Sequence, residues 1–232
     1  MNQGPQPEAK FTALDGGRFH YLDWGGNGPP LICLHGANGN AGNWAPLAAA
    51  LGRDLRVIGL DQRGHGKTEA KGIETLPLLA GDLFMFCRAL GLAKFHLLGH
   101  SMGARGAAAF AAMHPGRVEK LVLSDPPKYD MEDELAQQLA ELDARPQGFR
   151  DERALIEAMA ETLGVMAPYW PKIKSPTLLL HGTRSEALSA KAAKEITTAI
   201  GACTLVEIET GHGIFRENPE AAIAATRKFL LG

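Results

Sequence analysis

Short runs of hydrophobic residues alternate along the chain with stretches in which hydrophobic positions recur at helical spacing. Most runs are four or five residues long and continuously apolar, which is typical of parallel strands covered on both faces. They predict an α/β fold with a doubly wound, mostly parallel sheet of about eight strands that begins with a hairpin. The predicted strands are 11–14, 18–24, 31–35, 56–60, 95–99, 118–124, 177–181 and 204–209. The predicted helices lie near 43–51, 76–90, 102–114, 189–200 and 219–230.

One connection in this pattern is much longer than the others. About 50 residues separate the sixth predicted strand from the seventh, far more than one crossover helix needs. We expect residues 127–174 to form a short helical lid, with amphipathic patches at 132–143 and 152–163. A segment that leaves the carboxyl end of a strand covers the crevice where open α/β sheets bind ligands. The expected organisation is therefore a flexible N-terminus at 1–9, a core at 10–126 and 175–232, and this lid.

Composition narrows the class of protein. The chain has 232 residues, 45% of them hydrophobic, and a formal net charge of -2, which fits one globular domain and excludes a nucleic-acid partner. No apolar run approaches the roughly 20 residues of a membrane span, and no secretory signal is evident. Cys33, Cys87 and Cys203 stand far apart in apolar or helical contexts, so we expect buried thiols and a cytoplasmic monomer or homodimer.

A candidate nucleophile lies between the fifth predicted strand and the helix that follows it. Gly99-His100-Ser101-Met102-Gly103 has the strand, sharp turn and helix context of a nucleophile elbow. A serine hydroxyl needs a base to take its proton, and His212, in Gly211-His212-Gly213 after the last predicted strand, is the best-placed candidate. We expect the neighbouring His100 to point elsewhere. An oxyanion hole would use the backbone amides of Ala37, after His35-Gly36, and Met102.

In their order along the chain, these motifs resemble the α/β-hydrolase superfamily. The resemblance runs from about residue 10 to 231 and includes the segment from Asp61 to Gly66, which implies a structural role for Asp61, Arg63 and His65. Most of that superfamily carries the triad acid after the seventh strand in a G-x-x-D pattern. The matching stretch here is Gly182-Thr183-Arg184-Ser185, so the expected aspartate is a serine.

Two carboxylates are candidates for the missing acid. Asp125 ends the sixth predicted strand, which neighbours the fifth in this architecture, so its side chain should reach the same crevice as Ser101. Glu186 follows Ser185 and would have to turn inward from the neighbouring position. We therefore assign the triad to Ser101, His212 and Asp125, with Glu186 as the alternative acid.

With its acid after strand six, the chain resembles a subset of the superfamily. That subset includes esterases, N-formyl and N-acyl amide hydrolases and cofactor-free dioxygenases. The resemblance implies a serine hydrolase acting on a small-molecule substrate, with no metal and no cofactor. We expect small carboxylic esters as substrates. The alternatives are C–N cleavage, dioxygenation of an N-heteroaromatic without a cofactor, and a non-catalytic signalling protein on the same fold. Asn38, Arg105 and Arg184 are candidate substrate-binding residues, although either arginine could instead form a structural ion pair.

Overall fold

The hydrophobic runs pair into one eight-stranded sheet in the computed structural model, which describes residues 6–72, 75–127, 166 and 169–232. The strands are β1 Glu8–Leu14, β2 Gly17–Asp23, β3 Pro30–Leu34, β4 Arg56–Leu60, β5 Phe95–His100, β6 Val118–Ser124, β7 Thr177–Gly182 and β8 Cys203–Ile208. Their order across the sheet is β1-β2-β4-β3-β5-β6-β7-β8. β1 and β2 form the predicted antiparallel hairpin, β2 is antiparallel to β4, and the other pairs are parallel.

Helices cover both faces of this sheet, as the continuous apolar strands predict. They are α1 Ala45–Leu51, α2 Leu76–Ala89, α3 Met102–Met113, α4 Ala190–Ile200, α5 Ile214–Glu217 and α6 Pro219–Leu231, with short 3-10 turns at Ala41–Trp44 and Trp170–Lys172. A hydrophobic core lies on each face of the sheet, and alternate residues of β3 belong to one core or the other. Leu31 and Cys33 pack with residues of α1 and α6, and Ile32 and Leu34 pack with residues of α2, α3 and α4.

Two features of the structure differ from the expected boundaries. β1 starts at Glu8, inside the N-terminus expected to be flexible, because Glu8 pairs with Asp23 and continues the hairpin ladder. At the end of the predicted lid, Met166, Trp170 and Ile173 are buried in the core beside α3 and α4. The apolar side chains at that end therefore belong to the core. The predicted patches at 132–143 and 152–163 lie outside the described residues.

The segment after β4 has the structural role that the sequence implied. The buried Asp61 carboxylate accepts hydrogen bonds from the amides of Ala41, at 2.6 Å, and Lys67, at 2.8 Å. The Arg63 guanidinium donates two 2.6 Å hydrogen bonds to the carboxylate of Asp82 on α2. These hydrogen bonds connect the loop after β4 to the 3-10 turn at Ala41–Trp44 and to α2, beside the carboxyl end of β3.

Helix α3 lies close against the sheet because its residues are small. Ten of its twelve residues are buried, and six of those ten are alanines. At Gly103 the approach is closest, since a Cβ there would lie 2.4 Å from the Leu34 carbonyl oxygen. Gly106 lies one turn further along α3, and a Cβ there would meet the Leu79 side chain at an ordinary 3.4 Å.

These two glycines make a matched pair for a stability measurement. Gly103→Ala should lower the free energy of unfolding by about 1–3 kcal/mol, because its methyl group meets backbone that cannot swing aside. Gly106→Ala should leave that free energy unchanged or raise it by up to about 1 kcal/mol, because alanine is the better helix former. Urea denaturation of both variants checks this, and equal losses would contradict the proposed role of the close contact at Gly103.

Candidate active site

Ser101 occupies a strained turn between β5 and α3. Its backbone has φ +54° and ψ -122°, a conformation that a residue with a side chain rarely adopts. Gly99 makes the turn possible, since a Cβ there would lie 2.2 Å from the Gly103 carbonyl oxygen. The two glycines of the motif therefore allow chain segments to approach closely on both sides of the serine, and Ser101 projects from the end of the sheet.

His212 lies in the loop after β8 and connects the serine to an acid. The Ser101 hydroxyl donates to Nε2 of His212 at 2.8 Å, and Nδ1 of His212 donates to Oδ2 of Asp125 at 2.7 Å. A carboxylate oxygen can only accept, so this contact places the ring hydrogen on Nδ1 and leaves Nε2 free to take the serine proton. The structure thus brings together the three side chains that the sequence proposed as a triad.

The loop that carries His212 is held by a carboxylate that the sequence analysis missed. Glu217, on α5, accepts hydrogen bonds from the amides of Gly211, at 2.6 Å, and Gly213, at 3.2 Å. The Gly211 hydrogen bond is the main cause that lowers the pKa of Glu217. The two backbone amides that flank His212 are therefore fixed by one side chain. No helix was predicted at 214–217, and α5 is only four residues long.

Asp125 is completely buried at the end of β6, with φ +48°. Its Oδ1 accepts from the Gly182 amide at 3.0 Å, and its Oδ2 accepts from the Ser185 hydroxyl as well as from His212. The alternative acid, Glu186, is exposed to solvent. The carboxylate that contacts His212 is thus the one after β6, and the serine that stands in the G-x-x-D position donates to it.

The proposed oxyanion hole lies where β3 and α3 meet. A Cβ at Gly36 would lie 2.9 Å from the Ser101 Cβ, so the backbone that leads into Ala37 passes close to the serine. Met102 is the first residue of α3, and a first-turn amide has no acceptor within its own helix. Its N–H is therefore available beside Ser101, as the motif requires.

A buried histidine fixes the loop that carries Ala37. Nδ1 of His35 donates to the Gly36 carbonyl at 2.8 Å, and its Nε2 accepts from the Gln62 amide at 3.1 Å. Burial lowers the pKa of His35 to about 4, so its imidazole is neutral near pH 7. A neutral ring can donate from one nitrogen and accept at the other, which is what these two contacts require.

The expectation that His100 points away from the site is wrong. Its ring lies 4.9 Å from the ring of His212, tilted by 39°. Burial is the main cause that lowers the pKa of His100 to about 4, followed by the neighbouring His212. A neutral His100 therefore packs against the candidate base without adding a second positive charge. Its proximity depends on side-chain direction at the elbow, which spacing in the sequence does not encode.

The three candidate substrate-binding residues lie in different surroundings. Asn38 is exposed in the loop after β3, with φ +63°. Arg105 is buried in α3, one turn after Ser101. Arg184 lies at the surface with its side chain 63% exposed, and it donates to Glu209 at 3.3 Å. For Arg184 the structure therefore favours the ion-pair interpretation.

Membrane-spanning helices and metal-binding clusters are both absent from the ranges that the structure describes. None of the helices there has both the length and the apolar composition needed to cross a lipid bilayer. The same residues contain no group of three histidine, cysteine or acidic side chains arranged to hold a metal ion.

The relatives that this chain is similar to include proteins named as hydrolases. The chain is 41% identical over 121 residues to N-formylmaleamate deformylase of Pseudomonas putida, and 38% identical over 100 residues to sn-1-specific diacylglycerol lipase ABHD11 of Xenopus laevis. These matches cover 50% and 42% of this chain, but only 44% and 32% of the relatives, so the chain spans less than half the length of either.

Solved structures are similar over nearly the whole chain. An enol-lactonase from Burkholderia xenovorans LB400 superposes with a TM-score of 0.79 at 25% identity, covering 96% of this chain and all of that one. The sequence model of the alpha/beta hydrolase fold matches residues 29–157, which is more than half of the 232 residues. This chain therefore belongs to the alpha/beta hydrolase fold family.

Proposed function

We propose that this protein is a serine hydrolase that cleaves small carboxylic esters through an acyl-enzyme. The observation that carries the proposal is the continuous chain of hydrogen bonds from Ser101 through His212 to Asp125. Similarity to lipases, a deformylase and a lactonase supports a hydrolytic reaction at an acyl carbon. The esters themselves are proposed because an ester is a less demanding acyl donor than an amide.

In the first half of the reaction, Ser101 attacks the carbonyl carbon of the substrate. Nε2 of His212 takes the hydroxyl proton as the Oγ–carbon bond forms, and Asp125 stabilises the resulting imidazolium. The carbonyl oxygen becomes an oxyanion that accepts hydrogen bonds from the amides of Ala37 and Met102. When the carbon–oxygen bond to the alcohol breaks, His212 returns its proton to that leaving oxygen.

Water completes the cycle by the same route. His212 takes a proton from a water molecule as that water attacks the acyl-enzyme carbonyl, and the same two amides stabilise the second oxyanion. Collapse of this intermediate breaks the bond to Ser101 Oγ, which recovers its proton from His212. The products are a carboxylic acid and an alcohol, and no redox partner is consumed.

Replacing the nucleophile tests this mechanism most directly. Ser101→Ala should lower kcat for an activated ester by about 10⁴-fold or more, because no acyl-enzyme can form. It should also abolish stoichiometric labelling by a fluorophosphonate. Ser189→Ala, which removes a hydroxyl at the N-terminus of α4, should keep both properties. Ester turnover that survives in Ser101→Ala would contradict the acyl-enzyme, and an unlabelled native protein would favour a binding role.

The assignment of the acid makes a separate prediction. Asp125→Asn should lower kcat by about 10³–10⁴-fold, because an amide does not stabilise the imidazolium and favours the wrong ring tautomer. Glu186→Gln should change kcat by less than about twofold, because Glu186 is exposed. Steady-state kinetics of the two variants on one ester decides between the acids, and the opposite pattern would assign the role to Glu186.

Cleavage of an N-formyl or N-acyl amide is the second candidate function. The match to N-formylmaleamate deformylase favours it, at 41% identity over half of this chain. The same catalytic groups would serve, with His212 donating its proton to a leaving nitrogen instead of a leaving oxygen.

A panel of matched substrates separates the two reactions. We expect an activated ester to have a kcat/KM at least about 100-fold higher than the anilide of the same acid, because the alcohol is the better leaving group. N-formyl compounds and lactones belong in the same panel, with dissolved oxygen measured in parallel. A preference for an N-formyl amide over every ester would replace the first function by the second, and oxygen uptake would exclude both.

A further inference from the structure

The end of β7 supplies hydrogen-bond donors to both oxygens of the buried Asp125 carboxylate. The Gly182 amide donates to Oδ1 at 3.0 Å, and the Ser185 hydroxyl donates to Oδ2 at 2.5 Å. Nδ1 of His181, which is also buried, lies 3.5 Å from Oδ1. Because each oxygen accepts from a different donor, the carboxylate cannot rotate about the Cβ–Cγ bond without losing a hydrogen bond.

The Ser185 hydroxyl has little freedom to point in another direction. Its oxygen accepts a hydrogen bond from the Ala187 amide at 3.2 Å, and the Ser185 amide donates to the Gly182 carbonyl at 2.8 Å. Because the amide of Ala187 occupies a lone pair of the oxygen, the hydroxyl hydrogen is left to be donated to Asp125. The turn thus presents this hydrogen to the carboxylate before any substrate binds.

Ser185 and His212 share the same acceptor atom. His212 donates to Oδ2 of Asp125 at 2.7 Å, so the serine hydroxyl and the imidazole are separated by one oxygen. The hydroxyl therefore sets which lone pair of Oδ2 faces the imidazole.

We propose that Ser185 is a positioning residue for the triad acid, and this role rests on the proposed function. The Gly182 amide fixes one oxygen of Asp125, Ser185 fixes the other, and together they set the plane of the carboxylate that receives the His212 N–H. Ser185 does not touch the substrate. Its hydroxyl acts on catalysis through the orientation of Asp125 and, through that carboxylate, of the imidazole ring.

Three variants of the same loop test this role. Ser185→Ala removes the hydroxyl, Ser185→Thr keeps it, and Thr183→Ala removes an exposed hydroxyl two residues away. Steady-state kinetics on an activated ester gives kcat and KM for each variant, and thermal unfolding reports any general loss of structure. The low-field proton resonance of His212 Nδ1–H, assigned by its absence in His212→Asn, reports on the contact with Asp125 independently of turnover.

We expect Ser185→Ala to lower kcat about tenfold at unchanged KM and to shift the low-field resonance, because one hydrogen bond to the carboxylate is lost. Ser185→Thr should recover most of the activity and the native resonance, and Thr183→Ala should match the native protein. The role is overturned if Ser185→Ala keeps native kcat and an unshifted resonance, or if Ser185→Thr is as impaired as Ser185→Ala. Turnover that survives in Ser101→Ala would instead contradict the proposed function, and the resonance would still decide the role of Ser185.

Discussion

Burial of the Asp125 carboxylate is the constraint on which the rest of the site depends. A charged group without solvent must receive hydrogen bonds from the protein, and here they come from a β7 amide, a serine hydroxyl and an imidazole. The amide is at the end of β7, the serine lies in the loop after β7, and the imidazole lies in the loop after β8. The requirement to satisfy this one carboxylate therefore fixes the relative positions of the loops after β6, β7 and β8.

The order of strands in the sheet makes this convergence possible. β5, β6, β7 and β8 are adjacent and parallel, so the chain segments that leave their carboxyl ends emerge side by side. Glycine permits the final approach at Gly182, where a Cβ would lie 2.2 Å from the Gly211 carbonyl oxygen. A larger residue at Gly182 would separate the His212 loop from β7, and with it the imidazole from the acid.

Much of this arrangement is predictable from the sequence, since it depends on periodicity and on the order of motifs. Continuous apolar runs predict buried parallel strands, and the adjacency of β5 and β6 points to Asp125 as the acid near Ser101. The contacts of His100, Ser185 and Glu217 were not predictable in the same way. They depend on side-chain directions across loops, which the spacing of residues along the chain does not encode. For Ser185, the match to the G-x-x-D pattern indicates a position near the site but not the hydrogen bond to Asp125.

The carboxylate of Glu217, which accepts hydrogen bonds from the two amides beside His212, affects the energetics of the proposed reaction. A glycine-flanked loop loses much conformational entropy when it becomes ordered. The two hydrogen bonds to Glu217 order this loop when the chain folds. The loss of entropy is therefore part of the free energy of folding and is not repeated when a substrate binds. In the proposed reaction the imidazole is thus preorganised, and the cost of ordering its loop is met before a substrate binds.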